Sequence, residues 1–240
     1  MISLRKTSVI SLVVLILCLV ASVVLAAPAA TVMNLSGPLV VRKANGMTRS
    51  LSIGSAVEAG DTVETSKRTY ARLKFSDGSQ VTLKPDTQFK VEGYQYEQTK
   101  PAEDKGAFSL IKGGLRAVSG QIGKRGNQDS YRMKTPTATI GIRGTIYDAH
   151  FCQGSSCGTA IKPGLYLAVT DGSVVITNDA GVQTTLLVKA GQYVYVAHAA
   201  TPPIVLPDKP NIPVNSPPAG FGAGGQGQAG GGNGTDCVIR

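Results

Sequence analysis

The chain reads as a succession of short runs in which apolar and polar residues alternate. Ala71, Leu73 and Phe75 alternate with Tyr70, Arg72 and Lys74. Asp77-Gly78 follows as a turn signal, after which Val81 and Leu83 face inward. Such period-two alternation places one set of side chains on a core and the other in solvent. Gly37-Pro38, Gly113-Gly114, Asp171-Gly172 and Ala190-Gly191 mark further turns. No long stretch carries a helical period. The pattern predicts an all-β fold over about 170 residues, Ala30 to Ala200, long enough for one domain with its own core.

The most specific segment is Thr135-Pro136-Thr137-Ala138-Thr139-Ile140-Gly141-Ile142-Arg143-Gly144-Thr145-Ile146-Tyr147. The proline holds Thr135 extended. Simple alternation then puts Ile140, Ile142 and Ile146 on one face and Arg143, Thr145 and Tyr147 on the other. Gly141 and Gly144 allow a bulge or the close approach of another backbone. Carbonyls left by such an approach suit the Arg143 guanidinium, so Arg143 is expected to tie β-layers together. Anion binding by its planar fork is the alternative.

This segment resembles the signature of the FecR-type domain, T-P-x-A-x-I/V-G-V-R-G-T-x-F/Y, with Ile142 in place of the commoner valine. Three further elements resemble that family in order. They are Gly54 to Thr65 with its Ala-Gly-Asp step, Ala71 to Ser79 with its Asp-Gly-Ser hairpin, and Gly113 to Gly120 with its Leu-Arg pair. The resemblance implies a β-roll or short β-helix, a jelly-roll-like sandwich being the alternative, and a structural part for Thr135, Pro136, Gly141, Arg143, Gly144 and Thr145. The best-known members of that family pass a signal across the inner membrane from a periplasmic FecR domain to a sigma factor, while many others are exported FecR-domain proteins. Here only Met1 to Ser8 would precede the first apolar run, so the expectation is an exported FecR-type domain without that cytoplasmic partner.

A second β-unit is expected at 165–197. Gly37 to Val41 lines up with Gly172 to Ile176, Gly46 with Gly181, and Leu51 with Leu186 at the same offset. Ala59-Gly60 then aligns with Ala190-Gly191 after a shift of four residues. The constant offset argues for a related unit but does not by itself make a solenoid.

Residues 1–26 read as a signal peptide: Arg5 and Lys6 precede an apolar run from Val9 to Leu25, and Ala26 supplies a small cleavage residue. That run has 17 residues, against about 18–20 for a spanning helix. An uncleaved anchor over residues 9–25, making the protein a membrane-tethered sensor or regulator subunit, is the alternative. Contact with a membrane is expected only in that case. From Thr201 the composition turns to proline and then glycine, and 201–240 is read as a disordered tail.

Export to the periplasm or beyond sets an oxidising context. Cys152 and Cys157, four residues between them, are expected to form a disulfide. The rival, a metal site of His150, Cys152 and Cys157, matches zinc spacing poorly, and no metal or other cofactor is expected. Cys237 is the odd cysteine. No nucleophile elbow, zincin helix or phosphate loop is present, so an enzyme, for example an envelope glycan hydrolase, is the weakest of the readings.

Charge sharpens the picture. The net charge of +9 becomes +7 without Arg5 and Lys6. Lys105 to Arg143 is strongly basic, with Lys112, Arg116, Lys124, Arg125, Arg132 and Lys134 as candidate anion- or partner-binding residues. The alternative is a solvated strand face whose lysines discourage edge pairing. Aromatics for base stacking are sparse and tryptophan is absent, which argues against nucleic acid. The expected function is non-catalytic binding of an envelope protein or anionic envelope polymer, in signal relay or scaffolding.

Overall fold

The computed structural model describes residues 28–125, 127, 129–157, 161–212, 218 and 221. The expected signal peptide, Cys237 and most of the tail beyond 212 lie outside them. Fifteen strands are linked by hydrogen bonds into one sheet, and no α-helix occurs among the described residues. The all-β expectation is borne out.

The sheet folds back on itself because three long strands run through both of its halves. These are β9 (Lys105–Val118), β11 (Ala138–Cys152) and β12 (Gly164–Asn178). The first layer uses the C-terminal ends of β9 and β11 and the N-terminal end of β12. Beside β9 it continues through β7 (Gln80–Leu83), β6 (Ala71–Phe75), β1 (Ala30–Leu35) and β4 (Ala56–Val57). Beyond β12 it continues through β14 (Tyr193–Val196) and β15 (Ile204–Leu206). The second layer uses the other ends. Beside β9 lie β8 (Gln88–Gln95), β5 (Thr62–Thr65), β2 (Leu39–Arg42) and β3 (Thr48–Leu51). On the other side β9 meets β10 (Tyr131–Lys134), then β11, β12 and β13 (Thr185–Lys189). Only β9 and β10 pair in parallel among the described strands.

One apolar core fills the space between the layers. Phe75 of the first layer meets Phe108 of the second edge-on, with centroids 5.2 Å apart. The buried hydroxyls of Tyr131 and Tyr147 share a hydrogen bond of 2.8 Å across the same interface. The alternation read in β6 and β7 holds: Ala71, Leu73, Phe75, Val81 and Leu83 are all buried, and Asp77-Gly78 makes the turn.

Strands that change layers must bend, and each does so at a glycine with positive φ: Gly113 at 84°, Gly144 at 57° and Gly172 at 75°. A buried threonine pins each corner. The Thr87 hydroxyl donates to the Gly114 carbonyl and accepts from the Gly114 amide, both at 2.9 Å. The Thr145 hydroxyl donates to the Ser173 carbonyl at 2.6 Å and accepts from the Arg143 amide at 3.3 Å. Thr145→Val keeps the shape and removes both bonds inside a site with no solvent access, so it is expected to lower stability by about 2 kcal/mol. Urea unfolding of the variant beside the parent checks this.

The corner at Gly144 also corrects the face assignment in the motif. The pairing register shifts between Arg143 and Tyr147. One extra residue there reverses the phase of everything that follows. Thr145 and Tyr147 therefore turn inward with Ile140 and Ile142, while Ile146 turns outward.

Three glycine turns use the same pair of hydrogen bonds. The turn after β13 is held by Gly191 N–H donating to Val169 O (2.8 Å) and Val169 N–H to Gln192 O (3.2 Å). After β3, Gly54 and Ser55 make the same pair of bonds with Val32, at 2.8 and 3.0 Å. Gly60, which the sequence aligns with Gly191, and Asp61 make it with Val91, at 2.7 and 2.9 Å.

The chain beyond residue 200 does not leave the fold at once. β15 closes the open edge of β14, and Ile-Val-Leu follows two prolines that an edge position tolerates. Further along, Phe221 is buried against Tyr70, and the Arg72 guanidinium lies 5.6 Å from its ring centre. The expected end of the folded part at 200 is therefore placed too early.

Candidate functional site

The phase reversal at Gly144 decides what the first layer shows to solvent. It turns Asp148 and His150 outward, beside Arg116 of β9, Thr170 of β12 and Tyr193 of β14. Together with Lys84 and the segment Lys209–Ile212, they line a groove of about 810 Å³. Asp148 sits between two cations: Lys84 Nζ donates to Oδ1 at 2.9 Å and Arg116 Nη1 to Oδ2 at 2.5 Å. Arg116 also reaches the Thr170 hydroxyl at 3.4 Å.

His150 lies at the same place, and its Nε2 is buried without a hydrogen-bond partner among the described residues. Burial, helped by the Lys84 charge, lowers its pKa from 6.5 to about 4. Between these values the unfolded chain holds the proton and the folded chain does not. Stability is thus fully present above about pH 6.5 and is lost as the pH falls toward 4. The expected loss from this group between about pH 7.5 and pH 5 is about 2 kcal/mol. Urea midpoints at the two pH values measure it, and His150→Asn should flatten the difference.

The basic residues singled out in the sequence do not form one patch. Arg116 belongs to the groove on the first layer. Arg132 and Lys134 point outward from β10 on the opposite face of the roll, where Lys134 adds to the pull of Lys90 and Ser109 on Glu92: burial raises the Glu92 pKa, and these partners outweigh it and bring it below the ordinary value. Lys112 is exposed at the end of the β9 segment in the second layer. Lys124 lies beside Gly144 in a smaller cleft of about 400 Å³ that Arg143 also borders. Arg143 is exposed at the corner, and its backbone amide is held by Thr145.

Arg125 is committed to the fold. Its Nε and Nη2 donate to the Asp104 carboxylate at 3.0 and 3.3 Å, and Nη1 and Nη2 donate to the carbonyls of Gln98 and Glu97 at 2.7 and 2.9 Å. The guanidinium lies 4.8 Å from the Tyr96 ring centre.

The remaining motif residues build turns and strand. The Thr135 hydroxyl accepts from the amides of Ala138 at 3.0 Å and Thr137 at 3.3 Å, closing the turn in which Pro136 is exposed. Gly141 lies within regular pairing opposite Val175. Cys152 and Cys157 are joined in the expected disulfide, with Cα atoms 5.0 Å apart. Among the described residues no cluster of three or more His, Cys, Asp or Glu is placed to hold a metal ion. Nor is any helix there long and apolar enough to cross a membrane.

Sequence reasoning missed Asp148 and the outward place of His150, which it raised only as a rival metal ligand, and with them Lys84 and Thr87; Thr145 was among the motif residues given a structural part. The signal for the first two was present: Tyr147, Ala149 and Phe151 are apolar at alternate positions, out of phase with Ile140 and Ile142. That mismatch requires a bulge between them.

Residues 61–175 match the family model described as FecR protein, which bears out the resemblance over that span. No curated protein matches the chain. Two crystal structures of a candidate anti-sigma factor from Parabacteroides distasonis ATCC 8503, at 2.50 and 1.65 Å resolution, are similar to part of this chain. The TM-scores are 0.45 and 0.44, at 13% and 12% identity. In each case 62% of this chain is covered, and the match spans 60% of the other chain.

Proposed function

We propose that this protein, with its FecR segment at residues 61–175, is an exported, non-catalytic β-domain that binds an envelope protein or anionic envelope component in signal relay or scaffolding. The observation that carries the reading is the makeup of the groove on the first layer. Its one carboxylate, Asp148, is held by Lys84 and Arg116, and it faces no second carboxylate in that groove. Such a surface offers charge and shape for recognition, without the pair of carboxylates that glycoside hydrolysis uses. The Cys152–Cys157 disulfide and the apolar leader support an oxidising compartment outside the cytoplasm. The FecR motif residues, Arg143 among them, serve the fold in this reading.

Two measurements test it. Fractionation of cells followed by intact mass should give a periplasmic or secreted species that begins after Ala26. A species that keeps residues 9–25 would favour the tethered sensor instead. Capture from envelope extracts with the full-length mature protein should retain a partner that Arg116→Gln loses. Retention of nothing, or retention insensitive to every groove variant, would remove the binding role from this face.

A further inference from the structure

The groove on the first layer holds more recognition chemistry than the fold itself uses. Lys84, Arg116 and Lys209 set three cations against one carboxylate, Asp148. Arg116 keeps 42% of its side-chain surface exposed while bound to Asp148, so its fork has donors to spare. A concave site with this excess of positive charge draws anions. Tyr193 brings an aromatic residue to the lining. A volume of about 810 Å³ suits a ligand of several rings far better than a lone inorganic ion.

We propose that the groove between β11, β12, β14 and residues 209–212 binds an acidic saccharide. Arg116 and Lys209 take its carboxylate, and Tyr193 packs on a sugar face. Asp148 is the resident occupant of the cation pair and competes with the ligand for it. The inference rests on the reading of this protein as a non-catalytic envelope binder and names the class of its ligand.

The test is calorimetric titration of the full-length mature protein with tri-galacturonate. A neutral trigalactoside and acetate serve as comparison ligands. Tri-galacturonate is expected to bind saturably, at least about tenfold more tightly than either, because a charge-assisted contact adds to the sugar contacts. Arg116→Gln should weaken binding at least about tenfold. Lys209→Gln, placed outside the strands where it cannot disturb strand pairing, should weaken it about threefold. Asp148→Asn should strengthen binding several-fold by freeing both cations, a sign that a purely structural ion pair does not produce.

Absence of saturable binding at millimolar ligand overturns the inference. So does weakening by Asp148→Asn, or acetate binding as well as the trimer. Binding that survives Arg116→Gln and Lys209→Gln but fails in Lys124→Gln/Arg132→Gln places the anion on the other face and overturns it too. Release of new reducing ends would instead overturn the non-catalytic reading, and capture of an envelope protein without any saccharide binding would leave that reading standing and remove only this one.

Discussion

Gly113→Ala is expected to cost about 4–5 kcal/mol, close to the limit of what a domain of this size survives. Two effects add. At φ 84° any L side chain is strained by about 1–2 kcal/mol. The new Cβ would also lie 2.6 Å from Thr87 Cα and 2.7 Å from the Asp86 carbonyl, both backbone atoms that cannot rotate away. Relief requires the β9 corner to separate from the Thr87 turn, which breaks the two 2.9 Å bonds to Gly114. Gly78→Ala separates the contributions. Gly78 has φ 85°, and a Cβ there meets nothing within 4 Å, so only the backbone strain of about 1–2 kcal/mol should appear. Thermal and urea unfolding of the two variants side by side measure both. Equal losses would mean that the corner is not tightly packed.

Arg125→Ala is expected to cost about 3–4 kcal/mol, although the side chain lies in a basic stretch that invites a binding role. Asp104 has no exposed side-chain surface, and Arg125 supplies two donors to it. Truncation leaves a buried carboxylate without its cation and frees the carbonyls of Glu97 and Gln98. Arg125→Lys keeps the charge but not the planar fork, and should recover less than half of the loss. Replacing both partners, as Arg125→Met with Asp104→Leu, should recover most of it, because the loss comes from an unpaired charge more than from the pair itself. Urea midpoints of the three variants decide the matter. A harmless Arg125→Ala that abolished partner capture would return this residue to the binding surface.

These two residues also show what the sequence could and could not reveal. The β6–β7 hairpin was legible because its alternation and its Asp-Gly turn are local. The disulfide was legible from the short spacing of Cys152 and Cys157. The two-layered path was not, because it depends on Gly113, Gly144 and Gly172 acting at separate corners, and only tertiary pairing identifies them as bends rather than turns. Gly144 misled most. A bulge adds one residue without interrupting the apolar run, so simple alternation was carried through it and Thr145 and Tyr147 were assigned to the wrong face. The groove was lost with them, since Asp148 and His150 take their orientation from the same extra residue. Arg125 was grouped with the candidate binding residues because the burial of its partner, Asp104, is not written near either of them.

Continuity of β9, β11 and β12 through both layers has a consequence for how the molecule comes apart. A sandwich of two separate sheets can lose one and keep the other for a time. Here neither layer can melt without fraying strands that the other still holds, so the domain has no natural seam. Amide protons on both halves of β11 should therefore exchange only through one shared global opening, with similar free energies on either side of Gly144. The same wiring joins residues far apart in the chain before any layer is complete, as where Gln80 meets Val118 and Ala138 meets Asn178. Such a topology folds slowly, and the chain must pass that interval with its strand edges exposed.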